Sequence, residues 1–205
     1  MKNILRVRQA HRIPSPETCP TETQGEADLV ERAKKDPAAF GALFELYYGP
    51  IISYAFRRTL DMHVAEDVTA NTFLKALKGI GRYRHKAPFR AWLFKIATNE
   101  LRMHWRYARR HSRQREGQNW RTYVGNSVSI VPKVIDQQEI AEAMERFERL
   151  RNALLELPEP YQSALVLRYF EKFTYEEVSV VLGKRCGTVK SLISRGIRRL
   201  QERLA

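Results

Sequence analysis

The chain has 205 residues, and 43% of them are hydrophobic, so it can bury cores and is not a disordered chain. Its 36 Lys and Arg against 23 Asp and Glu give a formal net charge of +13, which favours a polyanionic partner such as nucleic acid. The two cysteines, Cys19 and Cys186, lie far apart, so neither a disulfide framework nor a zinc site is expected. No apolar run approaches ~18 residues, so no transmembrane helix and no membrane insertion are expected.

The first part of the chain predicts a tail followed by three helices. Residues 1–26 hold three prolines among Ser, Thr and Glu without helical periodicity, and we interpret them either as a flexible tail or as the result of a misplaced start site. Apolar residues at spacings of three and four then begin near Asp28 and predict a short helix and a longer one. The Gly49-Pro50 pair is expected to kink the longer helix. A third helix is expected over about 63–77, with Val64, Val68, Phe73 and Leu77 as its apolar positions. Val68 and Phe73 fit either the core or a docking surface, and Leu77 is expected in the core.

Positive charge is concentrated in the segment 75–115, which holds thirteen basic residues and a single acidic one, Glu100. Ordinary solvated faces mix both signs of charge, so this segment is a candidate phosphate-binding surface. Pro88 suits the first turn of a helix, and the apolar spacing continues that helix to about Trp105. The polar, glycine-containing residues 112–136 then indicate a flexible linker between two domains.

The second helical block starts near Gln137 and ends in a helix-turn-helix pattern. Thr174 and Glu177 have the spacing of a capping box, and Gly183 is expected to end the short helix that they start. A last helix, opened by Gly187-Thr188, has one apolar and one basic face, as a helix that enters the major groove requires. An ordinary helical hairpin with solvated charges is the simpler alternative. The chain thus predicts an all-α fold of two small helical domains, at 27–111 and 137–205.

The C-terminal motifs resemble region 4 of the extracytoplasmic-function (ECF) group of sigma-70-type RNA polymerase sigma factors. The similarity lies in LPEPYQSAL at 157–165, YEEV at 175–178 and GTVKS at 187–191. In that family, region 4 reads the -35 promoter element and meets the flap of the polymerase. Leu192 stands where the family often has arginine, so that contact is not implied. The resemblance implies DNA contacts from Arg185, Thr188, Lys190, Ser191, Ser194, Arg195 and Arg198.

The first domain resembles region 2 of the same family. AEDVTANTFLKAL at 65–77 is similar to the helix that docks on the clamp of the largest polymerase subunit. APFRAWLFKIATN at 87–99 is similar to the regions that recognise and melt the -10 element, with Asn99 at the family's base pocket. Met103 departs from an aspartate common in relatives. The resemblance implies polymerase contacts from Glu66, Asp67, Asn71, Thr72 and Lys75, and contacts to duplex and single-stranded -10 DNA from Arg82, Arg84, Lys86, Lys95, Asn99, Arg102 and Arg106.

These motifs predict a cytoplasmic sigma factor that binds core RNA polymerase, directs it to promoters and helps to open the -10 region, without a cofactor or a metal. The resemblance also implies an anti-sigma factor as a partner, since many relatives have one. A stand-alone helix-turn-helix regulator is the alternative, but it would need neither the helix at 65–77 nor the basic segment. An enzyme is not expected, because the five histidines are scattered and no phosphate-binding loop or nucleophile elbow occurs.

Overall fold

The computed structural model describes residues 24–112 and 137–204, which form two helical units. The described residues contain no strand, which confirms the all-α prediction. Residues 1–23 of the expected tail and 113–136 of the expected linker lie outside the described residues. The first unit contains α1 (Gln24–Lys35), α2 (Phe40–Thr59), α3 (Met62–Gly79) and α4 (Phe89–Ser112), with 3-10 turns at Pro37–Ala39 and Ile80–Arg82. The second contains α5 (Gln137–Leu155), α6 (Glu159–Leu165), a π-helical turn (Val166–Phe170), α7 (Tyr175–Leu182) and α8 (Cys186–Leu204).

Two expectations for the first unit were wrong in detail. The first helix begins at Gln24, within the expected tail, because Glu26 is buried and its carboxylate accepts a hydrogen bond from the Tyr47 hydroxyl at 2.5 Å. Leu77 is 39% exposed rather than part of the core, because Phe73 and Ala76 take the inward positions on that turn of α3. The helix α2 continues through Pro50 as one element, from Phe40 to Thr59.

Large aromatic side chains fill the centre of the first unit. Tyr47 and Tyr54 of α2 are fully buried against Phe89 and Phe94 of α4, with ring centroids 5.7 and 5.2 Å apart. Tyr83 packs edge-on against Phe89 at 5.5 Å, and its hydroxyl donates to the Ala87 carbonyl at 2.6 Å. The basic loop that precedes α4 is therefore held to the core by one buried aromatic residue.

The helix-turn-helix expected from the sequence is present in the second unit. Thr174 and Glu177 form both hydrogen bonds of the capping box at the start of α7. Gly183 ends α7 with a φ of +63°, a left-handed conformation that favours glycine, and the Lys184 amide donates to the Ser179 carbonyl at 3.0 Å. The turn therefore sets the angle at which α8 leaves α7.

The two units pack against each other, a contact that the sequence did not predict. The first helix of the helix-turn-helix, α7, lies on α4, and the Phe94 and Phe173 rings meet edge to face with centroids 5.0 Å apart. We call this contact the interdomain interface. Its polar members are Arg57, Arg58, Arg90 and Arg102 from the first unit and Glu159, Gln162 and Glu171 from the second.

Close packing of α8 against α6 depends on Gly196. A Cβ atom at this position would lie 3.0 Å from Leu165 Cδ1 and 3.2 Å from Leu165 Cγ, closer than side chains normally approach. We therefore expect Gly196→Leu to lower the free energy of unfolding by about 1–3 kcal/mol, through overpacking. Urea unfolding followed by circular dichroism measures this change. Gly187→Leu in the same helix is the control, because a Cβ there meets no atom within 4 Å; an equal loss in both variants would contradict the packing argument.

Candidate nucleic-acid interface

The outer face of α8 presents a row of polar and basic side chains. Val189 and Ile193 turn inward and are buried, which fixes the orientation of the helix. The residues expected from the sequence to contact the -35 element are all exposed: Arg185, Thr188, Lys190, Ser191, Ser194, Arg195 and Arg198. Leu192, the departure from the family pattern, is half-buried against the core and so does not belong to this outer row.

The two arginines in the middle of α8 differ in their surroundings. Arg198 Nε lies 3.8 Å from Glu202 Oε1, one turn further along the same helix. Arg195 has no ion-pair partner within the described residues, so its guanidinium is available to a ligand. Nearer the start of the helix, the Lys190 ammonium lies 5.6 Å from the Tyr175 ring centroid, and the Ser191 hydroxyl donates to the Gly187 carbonyl at 3.0 Å.

A second charged row runs along α4. Lys95, Asn99, Arg102 and Arg106 recur at spacings of four, three and four, so they share one side of the helix. Lys95, Asn99 and Arg106 are exposed, whereas Arg102 is half-buried at the edge next to the second unit. We call these four residues the α4 strip. A cationic row with one amide can follow a phosphate backbone and also bind a base edge.

The loop before α4 adds three exposed cations, Arg82, Arg84 and Lys86. His85 ties this loop to α1, since its Nε2 lies 2.6 Å from Glu31 Oε1. Hydrogen bonds from Lys34 and His85 lower the pKa of the Glu31 carboxyl. The loop is therefore anchored at His85 and Tyr83 while its arginines face outward.

The residues expected to dock on polymerase do not all lie at the surface. Glu66, Asp67, Asn71 and Lys75 of α3 are exposed, and Lys75 Nζ donates to Glu100 Oε1 at 2.6 Å. The expectation that Thr72 lies on an exposed side was wrong. It is fully buried, and its hydroxyl donates to the Val68 carbonyl at 2.7 Å.

Exposed apolar side chains beside the acidic residues of α3 were not foreseen. Phe44 of α2 is 40% exposed and packs on Phe73, with ring centroids 4.7 Å apart, while Leu74 of α3 is 55% exposed. Tyr48 lies beside this group, and burial, with the Glu66 carboxylate, raises the pKa of its hydroxyl. Phe44 fits the apolar spacing of α2, so the sequence alone gave no reason to separate it from the core.

Arg58 lies at the centre of the interdomain interface with its side chain fully buried. Its Nε donates to Gln162 Oε1 at 3.1 Å, its Nη1 donates to the Tyr54 hydroxyl at 3.2 Å, and the guanidinium stacks 4.8 Å from the Trp105 ring centroid. Burial lowers the pKa of the guanidinium, while Tyr54 and Glu159 oppose that change. Since arginine stays protonated in proteins, the interface contains a buried cation that needs acceptors from both units.

Glu159, at the start of α6, connects this buried cation to the α4 strip. Its Oε1 lies 3.8 Å from Arg58 Nη2 and accepts hydrogen bonds from Arg102 Nε at 3.0 Å and Ser163 Oγ at 2.7 Å. One carboxylate of the second unit therefore binds two arginines of the first. Arg102, expected to contact DNA, is paired with this carboxylate.

Glu171 forms the other end of the interdomain interface. Its Oε1 accepts from Arg57 Nη1 at 2.9 Å, and its backbone carbonyl accepts from Arg90. The Arg90 guanidinium also lies 4.0 Å from the Phe173 ring centroid. Burial raises the pKa of the Glu171 carboxyl, and Arg57 and Arg90 act against it.

Comparison with known proteins assigns these two units to one family. The family model described as Sigma-70 region 2 matches residues 43–111, and that of Sigma-70, region 4 matches residues 147–200. RNA polymerase sigma factor YlaC of Bacillus subtilis is 32% identical over 154 residues, which cover 75% of this chain and 84% of YlaC. ECF RNA polymerase sigma factor SigW of Bacillus subtilis is 26% identical over 182 residues, 85% of this chain and 94% of SigW. The chain is an ECF sigma factor of the sigma-70 family.

A solved structure of a sigma factor shares this fold. RpoE from Bartonella quintana, crystallised with the anti-sigma factor NepR, superposes with a TM-score of 0.62 at 27% identity, over 80% of this chain and 96% of RpoE. The factor is therefore an RNA polymerase initiation factor that acts on promoter DNA, and these findings favour this function over a stand-alone helix-turn-helix regulator. None of its described helices is long and apolar enough to cross a membrane.

Proposed function

We propose that this sigma factor divides promoter recognition between two helices, with α8 reading the -35 element and the α4 strip holding the opened -10 element. The observation that carries this proposal is the pair of charged rows, one on each unit, each next to a buried face that fixes its orientation. The factor binds and positions without catalysing a reaction, and it works in the cytoplasm, where core polymerase and promoter DNA are found.

For the -35 element, the proposal assigns different roles to the two arginines of α8. A recognition helix usually presents its N-terminal part to the base edges of the major groove. Arg195 has no competing carboxylate and suits a bidentate contact with guanine, whereas Arg198 shares its charge with Glu202 and suits a phosphate contact. Lys190 and Ser191, closer to the helix start, complete the reading face.

For the -10 element, the proposal uses the α4 strip together with the loop cations Arg82, Arg84 and Lys86. Single-stranded DNA binds to positive grooves that follow its backbone and to pockets that hold an unpaired base. The Asn99 amide can both donate to and accept from a base edge. Its position between Lys95 and Arg106 supports a role in holding one base while the cations hold the neighbouring phosphates.

For core polymerase, the proposal retains Glu66, Asp67, Asn71 and Lys75 as docking residues and removes buried Thr72 from direct contact. The exposed apolar pair Phe44 and Leu74 borders the acidic residues of α3. A docking surface with an apolar centre and a charged rim has the usual anatomy of a protein interface. The flap of the polymerase is proposed to meet the second unit.

An anti-sigma factor is proposed as a further partner. The support is the likeness to RpoE, which was solved with the anti-sigma factor NepR and shares 27% of its residues with this chain. A regulator of this kind would compete with polymerase for the factor. The direct way to find such a partner is to purify the factor from its own cells and to identify the proteins that remain bound to it in fractions without polymerase.

The -35 assignment predicts opposite behaviour for two neighbouring substitutions. Arg195→Ala is expected to cost roughly 1–3 kcal/mol on the preferred -35 sequence and to relax the preference there, because a base contact is lost. Arg198→Ala is expected to weaken all sequences alike and to flatten the salt dependence, because a phosphate contact is lost. Holoenzyme binding to a -35 substitution series at two salt concentrations measures both effects. An equal loss on every sequence for Arg195→Ala would mean that it only positions the helix.

The -10 assignment predicts a defect in strand opening for Asn99→Ala. Duplex capture through the second unit should persist, because Asn99 does not contribute to α8, while melting slows because one unpaired base loses its pocket. Permanganate footprinting reports this as reduced thymine reactivity near the start site. Asn152→Ala on exposed α5 is the control for loss of an amide. Wild-type reactivity in Asn99→Ala would refute the base-pocket role.

The docking assignment predicts that Asp67→Arg weakens binding to core polymerase without unfolding the first unit. Asp67 is exposed and makes no ion pair within the described residues, so its reversal costs the free protein little. Charge reversal at an interface rim slows association, and we expect about a tenfold loss of affinity. Titration of fluorescent factor with core polymerase measures it. Asp28→Arg, which reverses another exposed carboxylate, should bind as wild type does; equal affinity of both variants would exclude this docking face.

A further inference from the structure

We propose that α1 positions the loop between α3 and α4, through a cluster of side chains that holds Arg84 and Lys86 ready for single-stranded -10 DNA. The cluster has two residues from α1 and two from the loop, and we call it the α1–loop cluster: Glu31, Lys34, Tyr83 and His85. The inference rests on the proposed function in one respect, the assignment of the loop cations to -10 DNA. The cluster itself belongs to the free protein and is tested there first.

The four side chains of the α1–loop cluster form a closed set of contacts. Glu31 Oε1 lies 2.6 Å from His85 Nε2 and 2.5 Å from Lys34 Nζ. Lys34 Nζ lies 5.4 Å from the Tyr83 ring centroid, and the Tyr83 and His85 rings meet with centroids 4.8 Å apart. An oxygen and a nitrogen at 2.6 Å need a proton between them, so His85 Nε2 donates to Glu31. Each member contacts at least two others, so the loop is held by a network rather than by one exposed ion pair.

The helix α1 is the fixed side of this contact. Val30 and Ala33 are buried in the core of the first unit, so α1 stays in place without the cluster. Of residues 83–87, Tyr83 alone is buried, and its hydroxyl donates to the Ala87 carbonyl at 2.6 Å. The tip of the loop therefore has no core contact of its own. The cluster extends the rigidity of α1 to that tip.

His85 lies between the two cations that the loop offers to DNA. Arg84 and Lys86 are exposed and make no ion pair within the described residues. Neighbouring Cα atoms are about 3.8 Å apart, so a fixed His85 limits the positions of both. A binding surface that is ordered beforehand loses less conformational freedom when its ligand binds. Glu31 and His85 are therefore positioning residues, which aid capture of the strand through their neighbours.

The charge of Glu31 gives this role a distinctive sign. The helix α1 ends at Lys35, before residue 43, where the match to Sigma-70 region 2 begins, so the supporting residues of α1 lie outside the matched segment. A carboxylate beside a DNA-binding surface ordinarily repels DNA, and its removal strengthens binding. The positioning role predicts the opposite for Glu31, whose loss should weaken the engagement of DNA.

Hydrogen exchange of the free, full-length factor tests whether the cluster orders the loop. Glu31→Ala removes the acceptor of the His85 contact and keeps a high helix propensity. We expect the backbone amides of residues 83–86 to exchange about threefold faster, within the range of one exposed ion pair, and those of α1 to be unchanged. Asp28→Ala is the matched control, because it removes an exposed carboxylate from the same helix that has no ion pair within the described residues. Unchanged loop exchange in Glu31→Ala, or an equal acceleration throughout α1, would overturn the positioning role.

Substitutions of His85 separate the specific contact from a general disturbance of the loop. His85→Gln keeps a side-chain N–H that can donate to Glu31, so its loop should exchange at nearly the parent rate. His85→Leu has no donor and should accelerate exchange by the same factor as Glu31→Ala. The double variant should add nothing further, because both changes remove one contact. Multiplying effects in the double variant, or equal acceleration in His85→Gln and His85→Leu, would show that the pair does not hold the loop.

The rate of open-complex formation with core polymerase tests the role in initiation. Glu31→Ala should open the promoter about threefold more slowly than the parent, whereas Asp28→Ala should open it at the parent rate or slightly faster, because it loses only a charge that repels DNA. An unchanged or faster rate with Glu31→Ala would overturn the positioning role. The double variant Arg84→Ala/Lys86→Ala is the reference for the loop itself. Unaltered opening in that variant would refute the proposed -10 function of the loop and leave the exchange result standing.

Discussion

The buried guanidinium of Arg58 is the constraint on which the arrangement of the two units depends. A permanently charged group inside a protein must have acceptors around it, and α2 offers only the Tyr54 hydroxyl. The remaining acceptors, Gln162 and Glu159, come from α6 of the second unit. Because α6 begins directly after Pro158 and packs against α8, fixing α6 also fixes the recognition helix. One charge in the first unit is thus linked, through α6, to the unit that carries the proposed recognition helix.

The packing that satisfies Arg58 leaves most of the working surfaces free. Each of these helices has one side buried in its own unit and a charged side left exposed, which α3 offers for the proposed polymerase contact and α4 and α8 offer for the proposed DNA contacts. Short local devices set these orientations, such as the capping box at Thr174 and the left-handed Gly183 before α8, and the Asp61 side chain that accepts from the Val64 amide before α3. Within the described residues, Arg102 belongs both to the α4 strip and to the interdomain interface.

The sequence was sufficient for features that depend on neighbouring residues. Helix periodicity, the capping box and the glycine turn involve residues one to four positions apart, and the structure confirms them. It was insufficient where a side chain's surroundings depend on distant segments. The Thr72 hydroxyl donates to the Val68 carbonyl, so Thr72 can be buried despite its polarity. Leu77 is exposed, while Ala76 on the same turn of α3 is buried. The interdomain interface joins residues about a hundred positions apart, such as Arg58 and Gln162, and no local pattern encodes such a pair.

The structure shows which of the described basic side chains are paired with carboxylates and which are exposed without a pair. A net charge of +13 favours binding to nucleic acid. Several basic side chains of the first unit, however, form ion pairs with carboxylates of the same protein. Glu100 binds Lys75, Glu159 binds Arg102, and Glu171 binds Arg57. Glu159 must release Arg102 before that arginine can bind a phosphate, whereas Arg195 on α8 has no ion pair within the described residues and needs no such exchange. Arg195, in the middle of the recognition helix, is thus better prepared for first contact with duplex DNA than Arg102 of the α4 strip, whose guanidinium is already paired with Glu159.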